Sequence, residues 1–363
     1  MKVLFLATIL VGVASTMLGP LMPGFEARWR LDDAHGGVLF IAQFVASVLA
    51  TACVGVLVRW MGYWRVCAVG LLVATAGIAG CATASWGVTV AAVAVYGAGL
   101  GVIIPAANLG VAAAATGDSA RRVLWLNLFW SIGAVTAPVL VAYLKSAFLP
   151  TLAAGFGAMA VLVALGGSGK RPSAAVGAAS DGLPHILFAV MLFLYVGSES
   201  SIAGWVSEYA TRSPGAEYLW AVLPSVFWGA ILTGRLIAPN ILHRVRPPVL
   251  APWCLAISLA GAVVLLAVPG PLAMLAGTAV AGLGFAPIFP VVVASYADRT
   301  GGGSLSGLVF CAAGLGGAAI PPLVGFVSTA SGSLRIGLAV ILLFIVAMLR
   351  LTRTVMPTEP RTK

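Results

Sequence analysis

Charge is what this chain has least of. Only 8% of its 363 residues are Asp, Glu, Lys or Arg, while 61% are apolar. A soluble domain runs at about 25% charged and about 45–50% apolar. A core built from a chain of this length cannot hide so much apolar surface. A water-soluble fold is therefore excluded, and the bilayer is the solvent for most of the chain; the mean hydropathy of +1.08 says the same. Acids are scarcer still, ten against twenty Lys and Arg. The resulting net charge of +10 would point a soluble protein toward polyanions. Here the basic residues stand singly or in pairs at the ends of apolar runs and form no stripe, so no nucleic-acid partner is expected.

Cysteine and histidine are equally sparse. Cys53, Cys67, Cys81, Cys254 and Cys311 all fall inside apolar runs. An odd number with no CxxC and no Cys/His spacing gives neither a disulfide framework nor a zinc site. They read as small buried hydrophobes. His35, His185 and His243 lie near the ends of runs, and none stands at ligand spacing from an acid or a cysteine. No metal and no cofactor is expected. Glycine is abundant, but Gly97, Gly99 and Gly101 lie within an apolar run with no preceding strand and no GKS or GKT. They are not a nucleotide loop; they suit close helix approach and bending.

Apolar runs are what the chain has in excess. A helical span needs about 20 apolar residues. Runs of that length occupy 3–25, 37–58, 66–84, 88–115, 123–144, 148–167, 184–207, 217–239, 249–268, 271–296, 304–328 and 334–354. They are too long and too uniform for the alternating strands of a β-barrel. The first run begins at Lys2 and could pass for a signal peptide, but its apolar character continues to Phe25, which suits a retained span. With the N-terminus on one side, fifteen of the twenty Lys and Arg fall on that side. The positive-inside rule then puts both termini in the cytoplasm of a multi-pass protein of the cell inner (plasma) membrane.

The longest polar break, 168–183, is rich in Gly, Ala and Ser and reads as a flexible cytoplasmic linker. It divides the chain into 1–167 and 184–363, six runs each. The halves share punctuation. Gly97, Gly99, Gly101 and Pro105 in the fourth run parallel Gly282, Gly284, Pro287 and Pro290 in the tenth; Gly133 and Pro138 in the fifth parallel Gly314, Gly316, Gly317, Pro321 and Pro322 in the eleventh. Matching Gly/Pro-interrupted spans in two halves point to a repeat transporter. The expected fold class is an all-α membrane protein of 12 transmembrane helices in two pseudo-symmetric six-helix bundles.

Several stretches carry a resemblance to the major facilitator superfamily. Gly55, Arg59, Gly62 and Arg65 look like its loop signature between the second and third helices. GAGLGVIIPAAN at 97–108 and LNLFWSIGAVTAP at 126–138 resemble the fourth and fifth helices of its fucose/glucose permease branch. YVGSESSIAGW at 195–205 and GLGFAPIFP at 282–290 resemble the seventh and tenth. The resemblance implies alternating access, with two bundles rocking about a midplane cavity. It also gives Gly234-Arg235 the look of a second-half signature, a gating position. Two departures stand out: Arg59 replaces an acid of the signature, and Gly19 and Ile104 stand where fucose-permease relatives carry acids.

Chemistry must come from few residues. Glu26, Asp32, Asp33, Asp118, Asp181, Glu208, Glu217, Asp298 and Glu359 fall in expected loops, ends or tails. Glu199 lies inside the seventh run. A carboxylate at membrane depth costs about 2.5–3.5 kcal/mol on insertion scales and faces a cavity or a partner. It is the candidate for coupling to H+ or Na+, or for accepting substrate hydroxyls; otherwise it is a structural residue bonded to Ser198, Ser201 or a neighbouring helix. Gln43, Asn108 and Asn127 are mid-span amides that suit a polyol or act as interhelical glue, and Asn240 sits at a run end. Trp130 is three residues from Asn127, and Tyr195 and Trp205 flank Glu199 on roughly one face. Their rings could stack on a sugar or simply pack. Trp29, Trp60, Trp64, Trp86 and Trp220 suit interface belts. Arg235 lies near a run end and can snorkel, so no cation is expected at the centre.

The function these features favour is secondary transport of a small, neutral, sugar-like solute by a monomer in contact with lipid. Export of an amphipathic compound is the alternative within transport. A membrane enzyme would need a nucleophile/base pair or a carboxylate dyad within the spans, and none is visible. A non-transporting sensor or scaffold of the same shape would have the same sequence features.

Overall fold

The computed structural model describes residues 2–82, 85–113, 119–166, 182–242, 245–300 and 306–356. The described residues are helical nearly throughout, in the order α1 (Lys2–Thr16), α2 (Leu18–Trp29), α3 (Asp33–Met61), α4 (Tyr63–Gly80), α5 (Trp86–Ala113), α6 (Ser119–Leu144), α7 (Phe148–Gly166), α8 (Gly182–Thr211), α9 (Val222–Leu242), α10 (Pro247–Ala267), α11 (Pro271–Phe285), α12 (Ile288–Thr300), α13 (Ser306–Ser331) and α14 (Leu334–Val355). Among the described residues nine stretches are long and apolar enough to cross a membrane, ten when α1 and α2 count as one bent span. One of the nine, Arg122–Gly166, holds both α6 and α7, and Val222–Ala238 is a shorter apolar helix. The protein is a multi-pass all-α membrane protein.

Two spans are broken. The first run bends by 42° between α1 and α2. Pro20 explains the position: its ring clashes with the carbonyl of residue i−4, which is Thr16, the last residue of α1. The tenth run breaks between Phe285 and Ile288, at Pro287. Pro105, Pro138, Pro252, Pro321 and Pro322 lie within continuous helices.

The chain forms two compact units, Met1–Arg30 with Val38–Ala175, and Leu31–Gly37 with Val176–Lys363. The expected linker lies outside the described residues up to 181, and Gly182 already opens α8. In the first unit α1 packs on α6, and α4 packs on both α5 and α7. In the second, α8 packs on α13, and α10 packs on both α11 and α14. The first, third, fourth, fifth and sixth spans of each set thus choose the same partners, which is the content of the pseudo-symmetry.

Glycine makes these approaches possible. A Cβ at Gly133 would lie 2.0 Å from the Ile9 carbonyl oxygen, and one at Gly316 2.0 Å from that of Phe193. Those are the α1–α6 and α8–α13 contacts. Between α4 and α5 a Cβ at Gly77 would lie 2.2 Å from the Tyr96 nitrogen; between α10 and α11 one at Gly261 would lie 2.3 Å from that of Ala281. The hydroxyls of Thr8, Ser15, Thr75 and Ser201 donate to their own i−4 carbonyls, which satisfies them within the helix. The outer surface keeps large apolar side chains such as Leu49, Leu165, Leu272 and Leu343 exposed. Cys53 is also exposed, against the expectation that all five cysteines are buried, whereas Cys67, Cys81 and Cys254 are buried.

Gly133→Val and Gly316→Val should each lower the thermal unfolding midpoint of the purified protein sharply, since overpacking costs about 1–3 kcal/mol and here the obstacle is backbone. Gly55→Ala, at a position with nothing within 4 Å of the added Cβ, should leave the midpoint unchanged. Equal midpoints for all three would contradict this packing.

Candidate functional site

The first unit holds an open cleft of about 260 Å³ between α1, α5 and α6, lined by Thr8, Asn108, Asn127, Trp130 and apolar neighbours, with no charged side chain. Three of the sequence candidates meet there. Asn127 Nδ2 donates to Val123 O at 2.9 Å and to Asn108 Oδ1 at 3.3 Å, and Asn108 Nδ2 donates to Ile104 O at 2.8 Å. These bonds leave Asn127 Oδ1 and one Asn108 N–H unspent among the described residues. Trp130 is half-buried, with its Nε1 donating to Ser15 Oγ at 3.3 Å. The Thr8 hydroxyl donates to Leu4 O at 2.7 Å and keeps acceptor capacity. Ile104 also lines the cleft, so an apolar side chain stands where the fucose-permease resemblance would place an acid.

Gln43 is not among the cleft residues. It is buried, and its Oε1 accepts from the Tyr96 hydroxyl at 2.9 Å, tying α3 to α5.

The second unit holds the acid. Glu199 is 8% exposed. The Tyr195 hydroxyl, one turn earlier on α8, donates to Glu199 Oε1 at 2.7 Å. An Arg235 terminal nitrogen on α9 lies 3.6 Å from the same oxygen. Phe285 and Phe289 flank the Tyr195 ring at 5.7 and 6.0 Å between centroids. This corrects the expectation that Arg235 snorkels at a helix end and that no cation lies near the acid. Helix α9 continues to Leu242, three residues past the expected run, so Arg235 sits about two turns from its end. Trp205 is fully buried and donates to Pro321 O at 2.9 Å, joining α8 to α13 rather than lining a cavity.

The signature residues mark a tight turn. Gly55 and Arg59 lie in the last turns of α3, and Arg65 lies in the first turn of α4, with both arginines exposed. Gly62 alone separates the helices, with φ 80° and ψ 161°, a region essentially reserved for glycine.

Three further acids, read as lying in loops or at run ends, are buried. Glu26 lies within α2 and is 6% exposed, while Asp33 and Glu208 are 4% and 7% exposed. Asp33 and Glu208 both bond to Arg212. The i,i+4 spacing of Glu208 and Arg212 was the available signal; nothing local announced Asp33. Asp118, Asp181, Glu359 and the side chain of Asp298 lie outside the described residues. Among the described residues no group of three or more His, Cys, Asp or Glu could hold a metal ion.

A neutral amide-and-indole cleft thus lies in one helical bundle and a buried acid–cation pair in the other. Comparison with known proteins identifies the fold. No family model matches the chain. Major facilitator superfamily domain-containing protein 4A of Xenopus tropicalis is 31% identical over 157 residues, 41% of this chain and 30% of that protein. Its Homo sapiens counterpart is 30% identical over 157 residues, again 41% of this chain and 30% of the relative. The match thus spans less than a third of the length of these curated relatives. Among solved structures, a bacterial homologue of the human lysosomal transporter Spinster superposes with a TM-score of 0.80 at 11% identity, covering 99% of this chain and 96% of that one. The Escherichia coli fucose:proton symporter FucP gives 0.66 at 19% identity, covering 98% of both chains. The nucleoside transporter NupG gives 0.76 at 14% identity, covering 98% of this chain and 99% of that one. The fold is that of the major facilitator superfamily.

The Glu199–Arg235 pair has a direct test. Arg235→Gln leaves a buried carboxylate without its cation, which costs about 3–5 kcal/mol when the charge stays. Thermal unfolding should show a large loss in R235Q and recovery of most of it in the double variant E199Q/R235Q. Additive losses would dissolve the pair.

Proposed function

We propose that this chain is a secondary active transporter that moves a small, neutral, hydroxylated solute across the inner (plasma) membrane by alternating access. The cleft of Asn108, Asn127 and Trp130 carries the reading. It offers an unspent carbonyl oxygen, an unspent N–H and an indole, and no charge. Hydroxyls both donate and accept, and the CH face of a sugar ring stacks on an aromatic face. An anionic substrate would need a cation at the cleft wall. The superposing structure that is a fucose:proton symporter supports both the sugar-like substrate and a coupled proton.

Glu199 is the coupling residue in this reading. Its carboxylate is held by Tyr195 and Arg235. Protonation would cancel the charge that Arg235 faces, giving the second unit two electrostatic states. Arg235, assigned to gating by the signature resemblance, acts here as the partner that senses the proton, and the exposed Arg59 and Arg65 flank the tight turn at Gly62.

Transport into proteoliposomes tests both parts. Asn108→Ala and Asn127→Ala should each raise KM about tenfold, the worth of a neutral hydrogen bond of about 1–1.5 kcal/mol. Glu199→Gln should abolish uphill accumulation while leaving solute exchange intact. Stabilisation of the purified protein by lipophilic cations and by no sugar would replace the sugar reading with export of amphipathic compounds. Unchanged accumulation by E199Q would remove the coupling role.

A further inference from the structure

Pro105 lies within α5, three residues before Asn108. Proline has no N–H, so the carbonyl four residues earlier, on Gly101, loses the donor that a regular helix would give it. In a bilayer a carbonyl without a donor is costly, and transmembrane helices keep an interior proline where a neighbouring group donates instead. Thr51 does so: its hydroxyl donates to Gly101 O at 2.8 Å. The bond crosses from α3 to α5. Thr8, Ser15, Thr75 and Thr136 donate to carbonyls of their own helices, which is the ordinary habit of a helical hydroxyl.

The seam between α3 and α5 delivers that hydroxyl. Gln43, Ser47 and Thr51 recur at every fourth residue of α3 and share a face. A Cβ at Gly97 would lie 2.4 Å from Gln43 O, and one at Gly101 2.2 Å from Ser47 O. At the same level the Tyr96 hydroxyl donates to Gln43 Oε1 at 2.9 Å. With the backbones this close, the next residue on the face reaches the carbonyl that the proline has freed. The second unit supplies the contrast. In the tenth run Pro287 frees the carbonyl of Leu283. Gly234 of α9 stands against that oxygen, where an added Cβ would lie 3.3 Å from it. Glycine has no hydroxyl to give, and there the helix breaks between Phe285 and Ile288. Helix α5, supplied by Thr51, runs unbroken to Ala113.

We propose that Thr51 is a positioning residue of the cleft: by donating to Gly101 O in place of the N–H that Pro105 lacks, it holds the part of α5 that carries Asn108 against α6. Thr51 is not among the cleft residues and touches no solute. It acts through Asn108, whose Oδ1 accepts from Asn127 Nδ2 at 3.3 Å. That bond is longer than most of its kind, so a small displacement of α5 past Pro105 breaks it. The Asn108 N–H and the Asn127 oxygen then lose their shared placement. The effect on transport rests on the cleft being the solute site; the hold on α5 does not.

Hydrogen exchange of the full-length protein in nanodiscs, at the amides of residues 106–113, reads the hold without any solute. Thr51→Val keeps the shape and removes the donor, and should lower protection there about tenfold. Thr51→Ser should restore it. Pro105→Ala returns a backbone N–H to Gly101 O, so T51V/P105A should exchange like P105A alone. Equal protection in T51V and wild type, no recovery in T51S, or the same loss from T51V in the P105A background would overturn the proposal. If T51V does not fold, the double variant decides: folding with the protection of P105A supports the bond, and failure to fold overturns it.

Uptake of fucose into proteoliposomes reads the consequence. T51V should raise KM several-fold with little change in the maximal rate, and should add nothing in an Asn108→Ala background. A raised KM in N108A beside a wild-type KM in T51V would overturn the positioning role. An unchanged KM in N108A beside lost protection in T51V would support the hold on α5 and remove Asn108 from the solute site, so the two readings fail separately.

Discussion

Backbone meeting backbone is the constraint on which this structure depends. Lipid tails are as apolar as leucine, so helices in a bilayer gain little from burying apolar area and hold together by contact. Contact at this range needs the Cβ removed. Gly133 at Ile9, Gly316 at Phe193, Gly77 at Tyr96 and Gly261 at Ala281 do so in corresponding places of the two units. The abundance of glycine in the sequence is thus a packing requirement. It also explains why the paired helices recur: a repeat that conserves where the Cβ is missing conserves which helices can touch.

The same scarcity of room governs charge. Each described acid in the interior of the second unit has a cation within reach: Glu199 has Arg235, while Asp33 and Glu208 share Arg212. Ions are costly to bury, and removing one partner costs more than the pair is worth. A buried pair is therefore poor evidence for stability and better evidence for something that changes state. In the first unit the cleft solves the opposite problem, using amides, a hydroxyl and an indole that stay neutral in any state. The cleft of the first unit is lined without charge, and the two acid–cation clusters lie in the second.

The sequence made the spans legible because their length and apolarity are local properties. It made Glu199 legible because a carboxylate inside a long apolar run has no innocent local explanation. Asn108, Asn127 and Trp130 could be named but not joined, since Asn108 and Asn127 lie on different helices and their contact is tertiary. Asp33 and Glu208 escaped because each sits at the edge of a run, where charge is ordinary. For Asp33 the partners lie 179 and 295 residues away in the chain, invisible to any local window, whereas Arg212 stands only four residues from Glu208. Arg235 was misjudged for a related reason: hydropathy falls before the helix ends, so its last turns looked like interface. The break at Met17 was missed although Pro20 stood in plain view, because proline can equally sit in an unbroken helix, as Pro105 does.

Helix α8 carries both acidic clusters, and its geometry keeps them apart. Nine residues separate Glu199 from Glu208, which at 3.6 residues and 5.4 Å per turn is about two and a half turns, or about 13 Å. A half-integral number of turns puts the two carboxylates on opposite faces. Their partners agree: Glu199 looks to α9 through Arg235, and Glu208 looks through Arg212 to the segment at Asp33 and to α13. Neither cluster shares a side chain with the other. Neutralising one therefore leaves the hydrogen bonds of the other intact, and any energetic coupling between them has to pass through the rigid body of α8, where Trp205, bonded to Pro321, clamps the helix between the two sites. Trp205 lies between the two sites and ties α8 to α13 at Pro321, a structural task that its buried indole suits better than contact with a sugar.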